Sequence, residues 1–183
     1  MNQLVSFAAA LCTVAYANKF AEGSESREAM KINGPMVAAF TPFDKDGELD
    51  FTNMPKLAAR LNEWGVNRIM VGGTTGESIN LTKEERTAVT KEWLRLAPHH
   101  NLDIYVNIQM ESVKEAKQYA SEVAQLKGVK GLFAMSPSFF KPRRLEDLTN
   151  TISIIASGAP DLPFWYYHFP EKNGVAFNMY EWI

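Results

Sequence analysis

The stretch VGGTTGESINLTKEER, residues 71–86, sets two threonines among glycines where an apolar run gives way to a helix start. Ile69, Met70 and Val71 read as the end of a strand, and Leu81 to Arg86 as the opening of a helix. Where a strand turns through glycines into a helix, backbone N–H groups converge at the positive ends of peptide dipoles and favour an anion. A polyphosphate does not fit. Its loop would run G-x-x-x-x-G-K-[ST], this one has no such lysine, and Glu77 directly after Gly76 would repel it. A small monoanion such as a carboxylate suits Thr74 and Thr75 better, and a Gly-rich turn without a ligand fits the same pattern.

The second stretch is PFWYYHFP, residues 163–170. In a strand alternate residues share a face, so Trp165 and Tyr167 point one way and Phe164, Tyr166 and His168 the other. The rings are accounted for equally by packing against a core and against helices. The chemical reading needs a phenol at the C-terminal end of a parallel strand, and Tyr167 stands there, on the same edge as the 71–86 loop. In a (β/α)8 barrel that edge is where active sites form.

Positioning these residues requires a repeated strand–helix unit, and the chain supplies one. Strand-like PMVAAFTPF (35–43) and a turn around Asp46-Gly47 precede a helix over 51–65, with Leu57, Leu61 and Trp64 at helical spacing. A strand over 66–73 leads to a helix over 82–98, where Thr82 and Glu85 have capping-box spacing. A strand over 102–110 leads to a helix over 112–128, with a second box predicted at Ser112 and Glu115. Next come a strand over 129–137, a helix over 144–160, a strand over 162–169 and the first turns of another helix over 178–183. Five βα units, the fifth unfinished, predict an α/β fold with a parallel sheet. The pattern is compatible with a doubly wound sheet or a TIM barrel.

With 19 Lys+Arg against 21 Asp+Glu, the 183 residues carry no electrostatic footprint for nucleic acid or an acidic membrane. No metal is expected, since His99, His100 and His168 are scattered and the single cysteine, Cys12, has no partner. The first residues read differently from the rest. LVSFAAALCTVAYA (4–17) is uncharged and apolar and ends in Ala15-Tyr16-Ala17, a small-x-small cleavage pattern, although no Lys or Arg precedes it. The expected organisation is a signal peptide over 1–17, a polar leader over 18–33 and one domain over 34–183. Cleavage would give a secreted or lumenal chain beginning at Asn18. A buried helix and a misassigned first exon are the other readings. Asn80-Leu81-Thr82 is a glycosylation sequon that matters only on the secretory route, and Thr82 has a competing task as a helix cap.

AAFTPFDKDGELDF, GGTTGES, LTKEER, SPSFFKP and LPFWYYHFP occur here in the order seen in the N-acetylneuraminate lyase/dihydrodipicolinate synthase family of pyruvate-dependent aldolases. The resemblance covers roughly residues 33 to 183. Tyr-Tyr-His-Phe-Pro looks most like the lyase branch from animals; the synthases more usually have Asn where His168 stands. The resemblance implies a TIM barrel, a homotetramer for the full-length family, no cofactor, and small-molecule substrates, N-acetylneuraminate and pyruvate. It also implies a cytoplasmic location, as for most of the family, as the alternative to secretion. Thr74 and Thr75 fall at the positions that bind the pyruvyl carboxylate, Tyr167 at the proton-shuttling tyrosine and Glu77 at a loop glutamate read as structural. Phe139 stands where many bacterial relatives place a tyrosine that enters a neighbouring subunit's relay, which suits a lyase better than a synthase.

The family forms a Schiff base through a lysine on strand six, and these residues end after strand five. Lys130 opens a strand and Lys172 follows Pro170; neither matches. At about 250 residues for a whole barrel, the expectation is a truncated aldolase, itself inactive, with the edge of its fifth strand bare and its inward side chains uncovered. The rivals are another pyruvate aldolase and a non-catalytic protein that binds keto acids or sialic acid.

Overall fold

The computed structural model describes residues 14–16 and 34–182, so Cys12, the polar leader and most of the expected signal peptide lie outside the described residues. Five parallel strands form the sheet: β2 (Val37–Ala38), β3 (Arg68–Val71), β4 (Asp103–Asn107), β5 (Val129–Ala134) and β6 (Phe164–Tyr167). They lie side by side in chain order. Helices α1 (Met54–Glu63), α2 (Lys83–Leu96), α3 (Val113–Ala124) and α4 (Leu145–Ala156) connect them in turn, and a four-residue α5 (Pro170–Asn173) comes after β6. A doubly wound sheet reverses its strand order at a switch point, and this one never does. The succession is that of the first units of a (β/α)8 barrel.

Period-two alternation sorts the side chains along the four longer strands, apart from Val129, which opens β5 beside a register irregularity with β4 and packs in the helix-side core. Ile69, Val71, Ile104, Val106, Leu132, Ala134, Phe164 and Tyr166 face the helices and share their core with Trp93, Tyr119, Leu148 and Ile152. Met70, Tyr105, Phe133, Trp165 and Tyr167 face the other way and form a second cluster with Met135. The inward rings were expected to be uncovered; instead each is at most 5% exposed, because they pack on one another. Phe133 stacks on Trp165 at 5.2 Å and Tyr105 meets that indole edge-on at 5.5 Å. Gly131 makes room for this arrangement, since a Cβ there would collide with the Trp165 ring.

The outer edge of β6 is not bare either. Residues Val14–Tyr16 form a strand, β1, that pairs antiparallel with it, Val14 opposite Tyr167 and Tyr16 opposite Trp165. The expectation of an open edge on this strand is thereby corrected: the chain's own N-terminal segment takes up the backbone groups that would otherwise invite another strand.

Local signals fare as elementary chemistry requires. Thr82 and Glu85 make the reciprocal capping box at α2. At α3 only half of the predicted box is made: Ser112 Oγ accepts from the Glu115 N–H at 3.3 Å, with no return bond among those described. The last segment is a single 3-10 turn, Met179–Glu181, rather than an α-helical start.

Candidate active site

β3 ends at Val71, and the chain folds back through two interlocked turns. The Gly76 N–H donates to Gly73 O at 3.0 Å and the Glu77 N–H to Thr74 O at 3.1 Å. The turn is held from behind by the loop after β2. Thr41 Oγ1 donates to Gly76 O at 2.6 Å, and a Cβ on Gly76 would stand 2.9 Å from Ala39 O, so only glycine lets the two backbones close up. Glu77 adopts a left-handed conformation (φ 53°), and its carboxylate accepts from Asn80 Nδ2 at 3.0 Å. That is the structural role expected of it, closing the threonine turn onto the 3-10 turn Ser78–Asn80.

Thr74 and Thr75 form the exposed tip of this braced turn. Among the described residues, neither their amides nor their hydroxyls are taken up by an internal hydrogen bond. Four neutral donors on a fixed turn can hold one carboxylate and release it again, which a lysine-containing loop would do less readily.

Tyr167 is the last residue of β6 and is buried on the inner face, its ring 5.6 Å from that of Phe169. Met70, four positions ahead of Thr74, belongs to the same inward cluster. The strand register puts the ends of β3, β4, β5 and β6 on one edge, so the threonine turn and Tyr167 share the C-terminal end of the sheet. Tyr166 points to the helix side, as alternation required. Burial raises its pKa above the ordinary phenol value, against a lowering influence from Ser136 and Asn173 beside it, and its hydroxyl makes no well-formed hydrogen bond. His168 lies 5.8 Å from that ring, and burial lowers its pKa, so at neutral pH it is an uncharged imidazole.

Four features of the neighbourhood go beyond the sequence reading. Arg86 is buried: Nη1 donates to Gln109 O at 2.8 Å and Nη2 to Asn107 O at 2.7 Å, while the guanidinium lies 4.8 Å over the Tyr119 ring. Burial lowers its pKa, with Tyr119 opposing that shift. A signal existed, because Arg86 stands at helical spacing with buried Val89, Thr90 and Trp93. Glu111 reaches across to the loop after β5, a contact between residues 27 apart that no local pattern encodes. A cleft of about 440 Å³, walled by Ser78, Leu81, Arg86, Gln109 and Glu111 among others, opens between the starts of α2 and α3; it includes neither threonine nor Tyr167. Phe139 and Phe140, at 79% and 84% exposed, project from the loop after β5 with their rings edge-on at 5.0 Å.

Residues 31–181 match the model of the Dihydrodipicolinate synthetase family. The chain belongs to that family. The N-acetylneuraminate lyase of Pongo abelii is 35% identical over 146 residues, which are 79% of this chain and 45% of that protein. The lyase of Danio rerio is 33% identical over 152 residues, 82% of this chain and 49% of that protein. Among solved structures, the N-acetylneuraminate lyase (sialic acid aldolase) of Aliivibrio salmonicida matches with a TM-score of 0.76 at 36% identity, over 83% of this chain and 50% of that one. The chloride-inhibited dihydrodipicolinate synthase of Acinetobacter baumannii, complexed with pyruvate, matches with a TM-score of 0.73 at 34% identity, over 79% and 48% of the two chains. The chain spans about half the length of the relatives it matches. Within the dihydrodipicolinate synthetase family, then, the described sheet is the first five units of the barrel.

Proposed function

We propose that this chain is the N-terminal part of a Schiff-base pyruvate aldolase that cleaves N-acetylneuraminate to N-acetylmannosamine and pyruvate. The observation that carries the reading is the pair of unengaged threonines on a braced turn, at the same strand edge as Tyr167. Thr74 and Thr75 hold the keto-acid carboxylate. Tyr167 takes the proton from the substrate hydroxyl as the carbon–carbon bond breaks and the electron pair flows toward the iminium. A phenol with an ordinary pKa near 10 is a weak base at neutral pH, so it acts as a relay through the bound carboxylate and a threonine hydroxyl.

The lyase is favoured over a synthase by Phe139 and His168, together with the lyase names borne by similar proteins. The amine for the Schiff base belongs to a strand after β6. Among the described lysines only Lys130 lies within a strand, and its side chain is exposed. The homotetramer and the choice between a lumenal and a cytoplasmic location belong to this same reading as proposals. Sequencing the transcript past codon 183 tests it: a strand ending in lysine some 30 residues beyond Tyr167, and lyase activity of the completed protein on N-acetylneuraminate, are the expected results. A stop codon directly after Ile183, in a protein that binds keto acid without turnover, would favour a binding protein instead.

A further inference from the structure

We propose that Glu111 is a positioning residue, an internal anion that fills the amide nest of the loop after β5 and fixes the Phe139–Phe140 ledge at the C-terminal edge of the sheet. Glu111 lies in the connection between β4 and α3, one residue before Ser112, which caps that helix. Its carboxylate crosses to the neighbouring loop and accepts from three donors. Ser138 Oγ donates at 2.6 Å, the Ser138 N–H at 3.0 Å and the Phe139 N–H at 3.0 Å. Two successive amides aimed at one anion make a concave site of the kind that otherwise binds free anions. Here a side chain of the same molecule occupies it.

The base of this loop is anchored, with Met135 and Ser136 buried and Asn173 Nδ2 donating to Ser136 Oγ at 3.1 Å, but its tip has no such support. Phe139 and Phe140 are almost fully exposed, so their rings contribute no burial that would select one loop conformation. Bonds from three donors to a charged carboxylate are the strong members of the hydrogen-bond class. Partial burial by itself would raise the pKa of Glu111. The Ser138 hydroxyl and the two amides outweigh it and hold the carboxyl below its ordinary range, so the acceptor is ionised at neutral pH. A neutral amide cannot substitute fully, because glutamine has a single acceptor oxygen and would turn an NH2 group toward the same donors. The consequence is that the start of α3 and the loop after β5 move as one unit.

The test uses the full 183-residue chain and amide hydrogen exchange resolved to single residues, with Leu132 in β5 as internal reference. Glu111→Ala should speed exchange at Ser138 and Phe139 by about tenfold or more, the scale set by losing bonds to a charged acceptor, and leave Leu132 unchanged. Glu111→Gln should fall between Ala and wild type, and Ser138→Ala, which keeps both amide bonds, should fall closer to wild type. The graded order separates a charge-specific latch from a packing role. Unchanged exchange at Ser138 and Phe139 in Glu111→Ala would overturn the proposal, and so would equal acceleration at Leu132, since the effect would then be global.

Discussion

At the scale of single residues the proposed chemistry rests on hydroxyl groups, which makes it easy to test. In a completed chain Thr75→Val removes one neutral donor and nearly preserves shape. No basic residue stands on the turn to take over the carboxylate. One hydrogen bond to a charged group is worth about 1.5–3 kcal/mol, so kcat/KM should fall roughly ten- to a hundredfold. Kinetics within about twofold of wild type would reduce the loop to a turn. Tyr167→Phe should leave pyruvate binding intact while turnover drops about 10²–10⁴-fold, the usual cost of losing acid–base assistance. Tyr166→Phe serves as the control. Its hydroxyl lies on the helix side beside Ser136 and Asn173, so its removal should affect stability more than rate. The reverse pattern would mean that the wrong face of β6 has been assigned to the substrate. Both residues were legible in the sequence because strand alternation is strictly local. Glu111 was not, since its partners come from a different βα unit.

At the scale of elements, the α2 helix is the most informative. Its start was readable from Thr82 and Glu85, whose reciprocal bonds need only a spacing of three. What it does in the fold was less so, because KEER looks like a solvated face until Arg86 is placed on the buried stripe. That guanidinium satisfies two carbonyls at the C-terminal end of β4, which carries the chain toward Glu111 and the cleft. Arg86→Met would remove a costly buried charge but strand both carbonyls. Unpaired buried acceptors cost about 1–3 kcal/mol each, and relief of the desolvation offsets part of this, so a net loss of roughly 2–4 kcal/mol is expected. Urea unfolding measures it. A midpoint equal to wild type would mean that water entering from the cleft satisfies the carbonyls. Gly131 teaches the same lesson in reverse. Within VKGLFAMSP it looks like a weakness in a strand, and only the Trp165 indole lying over it, more than thirty positions away, explains it.

At the scale of the whole molecule, the order of the units was legible and the fate of the sheet edge was not. Pairing of β1 with β6 joins segments about 150 positions apart, and short apolar runs do not announce their partners. It also sets cleavage against edge protection, because a mature chain beginning at Asn18 would lack Val14–Tyr16. A chain without residues 1–17 should therefore self-associate at lower concentration than the full chain in light scattering. Equal behaviour of the two would mean that β1 contributes nothing to keeping the β6 edge occupied.

The lysines decide what these 183 residues can do by themselves. A Schiff-base lysine needs an amine whose pKa falls toward neutrality in a dry pocket or beside another cation. The described lysines have the opposite surroundings. Lys83 is bound to Glu122 at 3.0 Å, and that hydrogen bond holds its pKa above the ordinary value. Lys130 is exposed at the N-terminal end of β5, 3.8 Å from Asp103 and remote from the threonine turn at the other end of the sheet. Lys45 pairs with Asp46 in a surface turn at 2.7 Å. Lys172 lies in α5, past the end of β6, rather than on the inward face. The inward face itself is filled by Met70, Tyr105, Phe133, Trp165 and Tyr167, none of which offers an amine. Incubation of the chain with pyruvate and borohydride should therefore yield no trapped adduct by mass spectrometry, and N-acetylneuraminate should remain uncleaved. A single-site adduct on any lysine between Lys31 and Lys172 would mean that this part of the barrel carries its own nucleophile.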